Sequence, residues 1–95
     1  MTWNAWMESL ARETPEAGMS LPLQALWWER KGDWVRAHEL CQEAESCEGD
    51  WVHAYLHRVE GDGGNAAYWY ARARQPVCRT GLDEEWQAIA RALLG

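Results

Sequence analysis

His53 and His57 stand four residues apart in the segment WVHAYLHRVEGD, the spacing that brings two imidazoles to one helix face within reach of a single metal ion. His38 and Cys41 offer a second donor pair. The residue after His53 is Ala54, so the HExxH pattern is absent and spacing defines no third ligand. The pair therefore predicts one of two things: a site for a divalent metal, or a polar cluster that joins helices through Asp50, Glu60 or a tyrosine hydroxyl. Other chemistries find less. Ser9, Ser20 and Ser46 lie outside any nucleophile elbow, and Cys41 falls at a core position of its helix. GDGGNAA has neither the lysine nor the preceding strand of a phosphate loop, so Gly63, Gly64 and Asn65 read as a turn between helices. No catalytic residue is assigned.

The elements that must carry these side chains have helical spacing nearly throughout. Trp3, Trp6, Met7 and Leu10 predict a first helix from about Thr2 to Glu13, stopped before Pro15 and Gly18. Ser20 and Pro22 suit the start of a second, which ends at Gly32, and Asp33 caps a third with the stripe Ala37, Leu40, Cys41, Ala44. The polar stretch Glu45 to Gly49 reads as a break. A fourth helix then runs from about Trp51 to Glu60, a fifth from about Gly64 to Arg74, and Leu82, Trp86, Ile89, Ala90, Leu93 make a closing amphipathic helix with Thr80 or Asp83 as cap. No segment alternates with period two, so the fold class is all-α with five or six helices. In the fourth helix Trp51, Val52, Tyr55, Leu56 and Val59 form one apolar arc opposite His53, Ala54 and His57, which requires cover on two sides.

Sliding the sequence against itself by 29 residues aligns Ala25 with Ala54, Gly32 with Gly61, Asp33 with Asp62, Ala37 with Ala66 and Ala44 with Ala73. Chance in an alanine-rich chain would supply roughly one or two such identities, so a duplicated helical hairpin is the better reading. The turn KGDWVRA, the small residues and the later pair Cys41 and Ala44 resemble the signature of tetratricopeptide repeats, and AAYWYARA resembles the second helix of a related bacterial group. The resemblance covers about residues 21 to 76; its period of 29 is shorter than that family's. WVHAYLHRVEGDGGNAAYWYARA also resembles a small bacterial protein family, a resemblance that implies no activity. The domain plan is a single unit over 1–95, with a capping helix and linker at 1–19, hairpins at 20–47 and 48–77, and a capping helix at 78–95.

In tetratricopeptide proteins the first helix of each hairpin lines the inner face. Carried onto this chain, the resemblance implies a binding face of Leu26, Glu29 and Arg30 with Trp51, Tyr55 and Arg58, where an arginine beside aromatic rings suits a peptide or a carboxylate.

Composition bounds the partners. The 95 residues carry a formal charge of -6, with Lys+Arg 9 against Asp+Glu 15, and the acids concentrate in the first half. Arg72, Arg74 and Arg79 are too few for a polyphosphate, so no nucleic acid is expected. The acidic cluster Glu39, Glu43, Glu45, Glu48, Asp50 could steer a basic protein, though a solvated helical face explains it as well. No run is long enough to span a bilayer, and three cysteines without a CxxC pair suit a reduced, cytoplasmic home. Eight tryptophans exceed what so small a core can bury completely, leaving one or two partly exposed. The leading expectation is a cytoplasmic adaptor for a protein or peptide, without a cofactor. The alternatives are a metal- or small-ligand-binding protein, with enzymatic activity open, centred on His53 and His57, and a homo-oligomer or complex subunit.

Overall fold

A computed structural model describes all 95 residues as six helices and no strand: α1 (Trp3–Ser9), α2 (Leu21–Arg30), α3 (Trp34–Ala44), α4 (Cys47–Val59), α5 (Gly63–Ala73) and α6 (Leu82–Leu94). The all-α class and the helix count agree with the sequence reading. Two turns 29 residues apart are built from the same bonds. Gly32 and Gly61 adopt φ of +91° and +84°, the left-handed conformation that costs a residue without a Cβ nothing. The Asp33 amide then donates to the Trp28 carbonyl and the Asp62 amide to the His57 carbonyl, each at 2.9 Å. The same two aspartates cap the next helices, accepting from the Arg36 amide at 3.0 Å and the Asn65 amide at 3.1 Å. Both α3 and α5 run for 11 residues and end on a left-handed residue, Glu45 and Arg74.

Four places differ from the sequence reading. Gly63, Gly64 and Asn65, expected as a turn between helices, form the first turn of α5, because Asp62 takes the cap. α1 stops at Ser9, because the Ser9 hydroxyl donates back to the Trp6 carbonyl at 2.6 Å and the amides of Leu10, Ala11 and Arg12 shift to tighter bonds three residues back. α4 begins at Cys47, four residues before Trp51: the Ser46 hydroxyl accepts from the Gly49 amide at 3.0 Å, and Glu48 and Asp50 favour the positive end of the helix. Gly49 makes this possible, since a Cβ there would lie 2.7 Å from the Ala44 Cβ. α6 is preceded by Gly81, which offers no side-chain cap; neither Thr80 nor Asp83 serves, and Asp83, Glu84 and Glu85 meet the helix dipole instead.

α4 is the axis of the molecule, with every residue from Val52 to His57 buried. Its two faces belong to different layers. Val52, Tyr55 and Leu56 join the main core with Trp6, Leu26, Trp27, Trp86 and Ile89, while Ala54 lies in a separate seam with Ala66 and Tyr70 of α5. The terminal helices close the main core together: the Trp86 indole donates to the Leu26 carbonyl at 3.0 Å and stacks on Trp6 at 5.6 Å between ring centroids. Burial of each such ring contributes roughly 1.5–3 kcal/mol. Trp6, Trp27 and Trp86 are fully buried; the other five tryptophans, more than the one or two expected, keep partial exposure.

Candidate functional site

The implied inner binding face does not form an open surface. α6 lies across α2 and α4 and covers it. Leu26 and Tyr55 are buried, Trp51 is half-buried against the core, and the Tyr55 hydroxyl donates to Glu29 at 3.0 Å. Burial pushes the Glu29 carboxyl up, partly offset by that hydrogen bond; burial and Glu29 together push the Tyr55 hydroxyl well up. Arg30 pairs with Asp83 at 2.7 Å and lies 4.0 Å from the Trp86 ring. Arg58 donates to Glu85 Oε1 at 2.6 Å and to the Thr80 carbonyl, and the other Glu85 oxygen accepts from Tyr70. Leu26, Arg30 and Arg58 thus fasten the closing helix, while Glu29 and Tyr55 join α2 to α4.

The two histidines of α4 acquire a third companion. His38, from the facing side of α3, brings one ring nitrogen within 4.8 Å of those offered by His53 and His57, which also lie that close to each other. The His38 ring meets His53 edge-on at 4.5 Å, and His53 stacks on His57 at 4.9 Å. Two indoles bracket the group. Trp34 stacks on His38 at 4.9 Å and is itself pinned by donating to the Leu56 carbonyl at 2.8 Å; Trp69 stacks on His53 at 3.8 Å. Glu60, at the end of α4, contacts His57 Nδ1 at 2.5 Å. A carboxylate only accepts, so Nδ1 donates to it, the arrangement in which an outer carboxylate orients a ligating imidazole.

His53 is only 2 % exposed and makes no hydrogen bond within the protein, although its ring nitrogens keep contact with solvent; the one sealed side-chain polar atom without a partner is Trp6 Nε1 in the main core. Burial, helped by the neighbouring His38, His57 and Arg72, pushes the His53 pKa down to about 4. Burial and His57 lower His38 in the same direction. Both rings are therefore neutral at neutral pH, the state in which imidazole ligates. Imidazole nitrogen donors suit zinc, copper or nickel and not the oxygen-seeking magnesium or calcium. Zn–N bonds of 2.0–2.1 Å would set the nitrogens about 3.3 Å apart.

The pairing of His38 with Cys41 is not used. Cys41 is buried in the main core, where burial pushes its thiol up to about 12, so it is a protonated packing group. Beside the histidines opens a cleft of about 560 Å³ between the end of α3, the start of α4 and α5, with His53, Trp69, Arg72, Asp50 and Gln42 on its walls. Comparison with protein-family models, curated proteins and solved structures gave no match.

Proposed function

We propose that this protein binds a divalent transition-metal ion through His38, His53 and His57, with Glu60 orienting His57. The observation that supports the reading is the convergence of three imidazoles from α3 and α4, whose ring nitrogens lie within 4.8 Å of one another. Titration of untagged, chelator-treated protein with Zn(II) should saturate at one equivalent, and alanine at any of the three histidines should remove binding while circular dichroism stays helical. Saturation unchanged in all three variants, or no uptake, would reject the centre.

A second reading, a docking surface for a basic protein or peptide, rests on the outer side of α3 and the start of α4. Glu39, Glu43, Glu45 and Glu48 are exposed there, and none forms an ion pair. Such binding should weaken strongly as salt rises from 0.05 to about 0.5 M.

A further inference from the structure

Resting on that metal reading, we infer that the fourth coordination position of the ion opens into the cleft beside His53 and takes a small carboxylate, which Arg72 grips from the opposite side. Three histidines leave one position of a tetrahedral ion without a protein ligand. Trp34 stacks on His38, which is half-buried, and Trp69 covers one face of His53, the one histidine of the three that also stands in the wall of the cleft.

Arg72 is placed to complete a carboxylate site. Its guanidinium lies 5.2 Å from the Trp69 ring and 5.9 Å from that of Tyr68, so the planar group rests on an aromatic floor. It is only loosely engaged, with Nε 3.7 Å from Asp50 and Nη1 3.4 Å from the Tyr68 hydroxyl. Most of its five donors remain available for a forked contact with a carboxylate. The volume of about 560 Å³ accommodates a small metabolite-sized acid and no folded partner.

Charge makes the site conditional. Among the groups always charged at neutral pH, the cleft sets Arg72 against Asp50 and Glu45, one positive charge against two negative. The empty cleft therefore repels an anion, and a divalent ion reverses the sign from -1 to +1. Carboxylate binding should depend on the metal, a property that a simple arginine patch would not show.

The test uses the full chain loaded with Co(II), whose visible spectrum reports its coordination, and sodium acetate as probe at constant ionic strength. Cobalt uptake is measured first. In the wild-type protein acetate should change the spectrum saturably, and NMR should detect no acetate binding to the metal-free protein. Arg72→Ala should keep one equivalent of cobalt and bind acetate about ten- to a hundredfold more weakly; Asp50→Asn, which frees the guanidinium, should bind it more tightly. A cobalt spectrum indifferent to acetate, or equal acetate affinity in wild type and both variants, overturns the carboxylate site while leaving the metal centre standing. Absence of cobalt uptake overturns both, and is recognised at the first step.

Discussion

Two buried polar groups flank α4, and they are finished to different degrees. On the side facing α6, the Glu85 carboxylate is 3 % exposed and both of its oxygens are used, one by Arg58 and one by Tyr70, while Arg58 also reaches the Thr80 carbonyl. On the side facing α3, His53 is equally buried without a partner, and of the three clustered imidazoles only His57 has a carboxylate beside it. Burying a charge or a polar ring costs free energy unless partners replace water. The first group is complete within the chain and reads as a clasp for α6. The second makes no such internal closure, and on the proposed reading a metal ion completes it.

The largest effect should come from breaking the clasp. Glu85→Ala leaves the Arg58 guanidinium and the Tyr70 hydroxyl facing each other without the acid, and loss of one member of a buried pair costs about 3–5 kcal/mol. Urea unfolding should show it as a lower midpoint at unchanged slope, with zinc stoichiometry intact in the molecules that remain folded. A loss below about 1 kcal/mol would mean that apolar burial alone holds α6.

Acid should act next, and on the other group. His53 falls from its ordinary 6.5 to about 4 in the folded protein. Between those values the unfolded chain binds the extra proton, so stability falls as pH drops through the window and the whole contribution is present above about 6.5. The loss by pH 4 amounts to about 3 kcal/mol at most. Denaturation measured along this range should flatten in His53→Ala. An equally steep fall in that variant would assign the acid sensitivity to carboxylates instead.

A smaller effect should sharpen the contrast from the ligand side. Glu60→Gln removes the carboxylate at His57 Nδ1 without removing a proposed ligand, so zinc affinity should fall about 10- to 100-fold by calorimetry. Glu60 is exposed, and metal-free stability should change by less than about 1 kcal/mol. Undiminished affinity would show that His57 is held by packing and needs no orienting acid.

Much of the frame was legible in the chain. The Gly-Asp turns, Asp33 and Asp62 as caps, and the doubly covered fourth helix follow from local rules: left-handed glycine, a capping oxygen, and apolar residues on more than one face. The start of α4 was hidden because Glu45 to Gly49 is polar and contains a glycine, features shared by linkers and by a capped first turn; only the approach of Gly49 to Ala44 distinguishes them. That α6 packs on the side of α2 and α4 where Leu26 and Tyr55 lie was not legible, because resemblance to an open repeat carries no information about where a terminal helix lies. His53 and His57 announced themselves by spacing. His38 did not, since its meeting with them depends on the register of α3 against α4, which a helical period cannot fix.

The central claim is that three imidazoles from two helices close on one ion. X-ray absorption spectroscopy of the Zn(II)-loaded, untagged protein measures this most directly. The expected first shell contains three imidazole nitrogens at about 2.0–2.1 Å and one oxygen ligand, with no sulfur. His38→Ala should lower the imidazole count or abolish zinc uptake. A shell with two or fewer imidazoles in the wild-type protein, or with sulfur from Cys41 or Cys47, would contradict the account.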